Sequence, residues 1–349
     1  MNNSPFEFQL VNGLQGDPAV FVQLRQSSEA ILFDLGTIDA LSNKDVLRVK
    51  QVFVSHAHMD HFIGFDRLLR VHVPHKRPLQ VFGPPDFIDR VRAKLRSYTW
   101  NLIDADHINF EVFEIHPHAQ IYSARLSNAD NFSAKGCLSL VTPQDLVTLS
   151  DASKISAALL DHNGIWSVGY QLKAAPGVKV RRDKLQEWGL KPGPWLGELC
   201  QQSILGPLHG TCTVDGQTLQ KADLAAALLE VQSQRALVYL TDLAFHPANL
   251  AVLNREFGSA TDGIIESSFA DGDWQRAVRK AHLSTRQSAL IARSLGLVNY
   301  SVFHISGIYG QGPEAIAQEA QTLFQNLPSS GPELDLCVEA ELQRIAGGE

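Results

Sequence analysis

Short apolar runs rich in β-branched residues recur along the chain, each bounded by Gly, Pro, Asp or Asn. They cover Ala30 to Leu35, Gln51 to Val54, Leu79 to Phe82, Ala236 to Leu240, Gly263 to Ile265, Tyr300 to Phe303 and Leu334 to Val338. Runs this short and this apolar predict strands buried on both faces. Between several of them the apolar positions fall at helical spacing, over Asp86 to Arg96, Lys221 to Val231, Thr285 to Leu295 and Pro313 to Phe324. The last opens with Pro in its first turn, where a missing N–H costs nothing. Strands interleaved with helices predict a layered α/β architecture.

From about 174 to 216 this rhythm breaks. Pro176, Gly177, Pro192, Gly193, Pro194, Gly197, Gly206 and Pro207 punctuate the segment, with Trp188 and Trp195 among them. It reads as a Gly/Pro-rich arm inserted into a single domain that spans 1–349. Residues 170–195 carry six Lys or Arg (Lys173, Lys179, Arg181, Arg182, Lys184, Lys191) against Asp183 and Glu187, whereas the whole chain has a formal charge of −7. No general field draws nucleic acid to this protein, so a polyanion would have to be held by a local basic patch or by metal ions.

Composition narrows the class further. A chain of 349 residues, 44% of them apolar, can bury a large core. The amino terminus lacks a basic start followed by an apolar run, and no stretch of eighteen apolar residues occurs, so neither export nor a membrane span is expected. Cys137, Cys200, Cys212 and Cys337 are scattered without a CxxC pair, which argues against a disulfide framework or a cysteine metal site and fits a reducing cytoplasm.

The densest chemistry follows one predicted strand. Val52-Phe53-Val54 runs into Ser55-His56-Ala57-His58-Met59-Asp60-His61-Phe62-Ile63-Gly64, which holds four metal-ligand side chains within six residues. In an extended segment His56 and His58 point the same way and can grip one cation, while Asp60 and His61, at the turn into the next helix, reach a second. Imidazole and carboxylate at this density suit Zn²⁺, with Mn²⁺ or Fe as substitutes. One loop cannot complete two ligand shells. Three candidates lie at the ends of apolar segments, where functional groups of open α/β sheets gather: His162, Asp242 and His304.

These residues resemble a known family. The HAHMDH stretch with Gly64, together with LLDHNGIWSVGYQL, VYLTDLAFHPANL, IIESSFAD, AHLSTRQSALIARSLG and FHIS, is similar to the metallo-β-lactamase superfamily and in particular to ribonuclease Z, the zinc phosphodiesterase that trims tRNA 3′ ends. KLQEWGLKPGPWLGEL resembles the end of the arm with which that family grips tRNA. The resemblance implies an αβ/βα four-layer sandwich. It also implies that His56, His58 and His162 hold one zinc, that Asp60, His61 and His304 hold the other, and that Asp242 and a water bridge the two. His282 matches a histidine of the family just before a helix opening at Ser284 or Thr285, the candidate acid for the departing ribose oxygen, and Glu266 matches an acidic residue that could orient it. The arm, with Arg181, Arg182 and Lys184, becomes the docking element for a tRNA precursor, and a homodimer is implied.

The chain departs from the family pattern around the substrate. Asp34-Leu35-Gly36-Thr37 runs straight into Ile38, without the family's acidic GEGT-like stretch. Ile265 stands where a histidine precedes the EATF-like element, and Ile308 stands where an arginine usually follows the last metal histidine. A small-molecule hydrolase of the same superfamily, acting on a cyclic nucleotide, another phosphodiester, an ester or a lactone, is therefore the alternative. A metal-free relative that only binds RNA or a partner protein is a third reading. His72, His75, His107, His116, His118, His209 and His246 show no such convergence and are read as surface or capping residues.

Overall fold

The apolar runs assemble into two sheets. In the computed structural model, which describes residues 4–24, 27–134, 138–141, 145–205, 207–232, 234–310 and 312–348, eight strands from Phe6–Leu10 to Leu138–Val141 lie side by side in chain order. A six-stranded sheet runs Asn299–Phe303, Asp262–Glu266, Ala236–Leu240, Ile165–Lys173, Lys154–His162, Val147–Thr148. Both belong to one compact unit, Met1–Lys173 with Ala236–Glu349.

Strand periodicity explains the layering. Leu32, Val52 and Val81 of the first sheet share a core with Val46, Phe65, Leu68 and Phe87 from the helices Asn43–Arg48, Phe65–His72 and Phe87–Arg96. One residue along, Phe33 and Phe53 take the opposite face. There they meet the second sheet, Phe33 with Tyr239 at 5.3 Å between ring centroids and Phe53 with Tyr170 at 5.4 Å. Val238 and Leu240 of the second sheet turn outward onto the helices Pro247–Phe257, Thr285–Ser294 and Pro313–Asn326. The order helix, sheet, sheet, helix is a four-layer sandwich.

The register of the second sheet positions chemistry. Ala236–Leu240, Asp262–Glu266 and Asn299–Phe303 are parallel neighbours, with Leu240 opposite Ile265 and Glu266 opposite Phe303. Their carboxyl ends deliver Asp242, Glu266 and His304 to one edge. Cross-sheet bonds from Val168 N–H to the Ser55 carbonyl (2.8 Å) and from the Tyr170 hydroxyl to the Val54 carbonyl (2.8 Å) hold the end of Val49–Phe53 at the same edge.

Residues Ala174–Arg235 form a second compact unit. The expected arm, 174–216, lies within it, and the unit continues through the helix Lys221–Leu228 and the strand Leu229–Val231, which pairs with Val178–Val180. Helices Arg182–Glu187 and Pro194–Leu205 sit between the Pro and Gly positions, and Leu185, Leu199, Leu224 and Leu228 give the unit its own small core. The expected helix Lys221 to Val231 thus stops at Leu228.

The predicted strand Leu334 to Val338 is instead part of the helix Pro332–Ala346. Leu334, Leu336 and Val338 alternate as a strand would, yet Leu336 is 64% exposed, and the buried face is Leu334, Val338, Glu341 and Ile345 at helical spacing. Among the described residues no helix is long and apolar enough to cross a membrane. Cys200, Cys212 and Cys337 are free thiols, and Cys137 lies outside the described residues.

Candidate metal centre

The histidine-rich loop is held by its backbone before any side chain acts. Leu35 N–H donates to the His61 carbonyl (3.0 Å) and Gly64 N–H to the Leu35 carbonyl (2.8 Å), which folds His58 to Gly64 against the end of Ala30–Phe33. A Cβ at Gly64 would stand 2.0 Å from the Gly36 carbonyl oxygen, so only glycine permits this approach. Asp34, Asp242 and His304 all have left-handed backbones, with φ of 55°, 50° and 56°. Asp and His accept that region more readily than most residues, and strained positions of this kind gather at functional sites.

The structure brings all seven candidate ligands to one place. His56, His58, His162 and Asp242 have ligand atoms within 4.8 Å of one another, as do Asp60, His61 and His304, and as do Asp242, Glu266, His282 and His304. Asp242 stands between the groups: its Oδ2 is 3.5 Å from His56 Nε2 and 3.6 Å from both His61 Nε2 and His162 Nε2, and its Oδ1 is 2.9 Å from His304 Nδ1. Asp60 Oδ2 lies 3.5 Å from His61 Nε2 and 3.4 Å from His304 Nε2. Nitrogen and oxygen ligands at about 2.0–2.1 Å from a tetrahedral ion stand roughly 3.4 Å apart, so the residues present fit such an ion. The fit has a second sign. His56 Nε2 and His61 Nε2 are buried without a hydrogen-bond partner, a costly arrangement that a cation would resolve.

Electrostatics agree. Burial and the neighbouring His61 press the His56 imidazole down to about 2. At His61 burial works the same way, but the carboxylates of Asp242 and Asp34 outweigh it and lift the group to about 10. The carboxylates thus demand positive charge at this edge, and the neutral His56 offers a lone pair.

No protein family model matches the chain. It is 26% identical over 298 residues to the ribonuclease Z of Deinococcus radiodurans, spanning 84% of this chain and 88% of that one. It is 27% identical over 321 residues to the ribonuclease Z of Crocosphaera subtropica, spanning 88% of each. Among solved structures, the metallo-β-lactamase fold protein YhfI of Bacillus subtilis aligns over 92% of this chain and 94% of its own, with a TM-score of 0.51 and 13% identity. This is a metallo-β-lactamase fold. In sequence, the chain is similar to ribonuclease Z along most of its length.

In this ribonuclease Z-like chain, the outer supports of the ligands were the part that sequence reasoning missed. Asp34 Oδ2 is 2.8 Å from His61 Nδ1 and accepts from the Tyr239 hydroxyl (2.7 Å) and the Ser55 hydroxyl (2.8 Å), while Ser55 N–H donates to Asp34 Oδ1 (2.6 Å). His162 Nδ1 meets the Ala281 carbonyl at 2.9 Å. Each contact fixes a ring so that the other nitrogen faces Asp242. The only signal in the sequence was the place of Asp34 near the end of the apolar run Ala30 to Leu35.

His282 and Glu266 pair at the rim, Nδ1 to Oε2 at 2.8 Å. The Leu243 N–H (3.2 Å) and the Ser268 hydroxyl (3.0 Å) donate to the same carboxylate, which is fully buried, whereas the His282 side chain is 19% exposed. Burial opposes charge on both, yet their attraction prevails: Glu266 is brought down to about 2, and His282 is raised above its ordinary value. Arg181 and Arg182 lie exposed at the start of Arg182–Glu187 in the second unit, and Lys184 pairs with Glu187 at 2.6 Å. Of the histidines read as surface or capping residues, His246 does cap Pro247–Phe257. His72 differs: it is buried, its Nε2 3.0 Å from the Val46 carbonyl, because it lies on the inner face of Phe65–His72.

Proposed function

We propose that this protein is a metal-dependent phosphodiesterase of the ribonuclease Z type that hydrolyses an RNA phosphodiester, with the 3′ trailer of a tRNA precursor as substrate. The observation that carries this reading is the convergence of His56, His58, Asp60, His61, His162, Asp242 and His304 beside a carboxylate-supported His282. Two Zn²⁺ ions suit the donor set, one held by His56, His58 and His162, the other by Asp60, His61 and His304, with Asp242 serving both; Mn²⁺ or Fe would accept the same donors. When bound, such a pair supplies a nucleophile at neutral pH and neutralises charge on the phosphate.

The chain's own residues do the rest. Glu266 occupies His282 Nδ1 and favours the protonated ring, which leaves Nε2 to deliver a proton to the departing ribose oxygen. A positioned acid of this kind contributes about 10²–10⁴ in rate. Of the two carboxylate ligands, Asp60, with its side chain 42% exposed against 3% for Asp242, is the one open to the reacting groups. Arg181, Arg182 and Lys184 are the docking cations for the RNA body, and a cytoplasmic homodimer completes the reading, supported by the likeness to ribonuclease Z.

The test is incubation of the metal-loaded protein, and of Asp60→Ala, with a tRNA precursor bearing a 3′ trailer. The expected result is one cut near the acceptor end from the parent protein and none from the variant. A parent protein that turns over a chromogenic diester while leaving the precursor intact would move the assignment to the small-molecule hydrolase, a reading favoured by the exposed Ile308 at the site's edge.

A further inference from the structure

A cavity of about 470 Å³ opens beside His282 and His304, and most of its wall has no role in the chemistry above. The turn Ser306-Gly307-Ile308 lines it, and so do Arg276 and Lys280, from the short helix Trp274–Lys280. These two cations are four residues apart and so share one face of the helix. Both are exposed, and neither makes an ion pair or side-chain hydrogen bond among the described residues. The nearby acids are committed elsewhere: Asp273 accepts from the Tyr309 hydroxyl (2.7 Å), and Asp271 pairs with Arg286 (3.0 Å) and Arg344 (2.7 Å). The cavity wall is therefore positive in a chain whose net charge is −7.

Geometry ties this wall to the proton donor. The backbone N–H of His282 donates to the Ala277 carbonyl (3.0 Å), which ties the backbone of His282 to the end of the helix, while Glu266 holds its ring. Tyr309, whose hydroxyl also accepts from Ala270 N–H (2.9 Å), fastens the Ile308 turn to the start of the same helix. With His282 as the proton donor of the proposed reaction, a group in the cavity would lie on the side of the fragment whose oxygen departs.

We infer that Arg276 and Lys280 bind the phosphate next to the scissile one, on the fragment that leaves with the proton of His282. They place positive charge in a cavity where Ile308 offers none. Two unpaired cations on one helix face form a clamp for a phosphate, and an uncharged ligand would leave both without a partner. The inference rests on the RNA phosphodiesterase reading and adds to it the residues that select a substrate with a flanking phosphate.

The test compares parent protein with Arg276→Ala/Lys280→Ala on two substrates, a ribo-oligonucleotide and a chromogenic diester that carries only the scissile phosphate. Both positions are exposed, so folding is checked simply by an unchanged unfolding midpoint. The double variant should lose about tenfold or more in kcat/KM on the oligonucleotide beyond any loss on the diester, and the slope of log kcat/KM against log salt should shrink by about one. Adding Ile308→Arg to the double variant should recover part of the loss. If the parent protein cleaves the oligonucleotide and the double variant cleaves it equally well with the same salt slope, the inference is overturned while the phosphodiesterase reading stands. A parent protein inert toward RNA of any kind would sink the reading itself.

Discussion

Asp34 Oδ2 stands 2.8 Å from His61 Nδ1, which aims the other ring nitrogen of this fully buried histidine at Asp60 and Asp242. The same carboxylate accepts from the Tyr239 hydroxyl of the facing sheet and from the hydroxyl and backbone N–H of Ser55. One acid thus links the two sheets to the orientation of a candidate ligand. A histidine held by a carboxylate binds a cation more firmly because its tautomer and its ring plane are set beforehand.

Asp34→Asn should therefore weaken cation affinity roughly 10–100-fold without removing any ligand. The measurement is metal content after dialysis against graded chelator, with Asp242→Ala as the reference for a lost ligand. Equal retention by Asp34→Asn and the parent protein would show that His61 is positioned by other means.

The role given to His282 depends on the leaving group. His282→Ala should slow cleavage of RNA by about 10²–10⁴, because an alkoxide is a poor leaving group without a proton. On a p-nitrophenyl diester, whose leaving group needs no proton, the loss should be small. Glu266→Gln should fall between, since it removes the charge that keeps His282 protonated but not the ring itself. Equal losses on both substrates would assign His282 to ground-state binding.

Much of this site was legible because its signals are local. His56, His58, Asp60 and His61 fall within six residues, and no packing requirement explains such a cluster. Asp242 and His304 were legible because each lies at or just beyond the end of an apolar run, and parallel strands deliver their ends to one edge. Asp34 lies at the end of such a run too, but a single acid there looks like any turn residue, and its contacts come from Ser55 and from Tyr239, 205 positions away. Arg276 and Lys280 carried no signal, since their use depends on how one short helix faces the Ile308 turn. The helix Pro332–Ala346 was misread because Leu334, Leu336 and Val338 satisfy a two-residue period by chance, and only burial separates that from the helical spacing.

Gly64 offers a steric test. A methyl group there meets the Gly36 carbonyl oxygen at 2.0 Å, backbone against side chain with no rotamer to yield. Gly64→Ala should cost about 1–3 kcal/mol in denaturant unfolding and should lower metal content, because the displaced loop carries Asp60 and His61. Gly272→Ala is the control, with nothing within 4 Å of the added carbon. Equal stability of the two variants would mean that the loop relaxes freely and that its close approach to Gly36 sets nothing.

His72 provides a pH dependence away from the candidate metal ligands. Burial lowers its pKa from 6.5 to about 4; the Val46 carbonyl opposes the shift, while Lys50, His75 and Arg77 add to it, and the buried Nδ1 has no acceptor for a second proton. The folded protein therefore takes up this proton less readily than the unfolded chain. The contribution is fully present above pH 6.5, and it is lost as pH falls from 6.5 through 4, by about 3 kcal/mol in all. His72→Gln keeps a donor for the Val46 carbonyl and cannot titrate. Its unfolding free energy, measured between pH 7 and pH 4, should fall less steeply than that of the parent protein. Parallel curves would mean that His72 is protonated in the folded state or that the helix end opens to admit water.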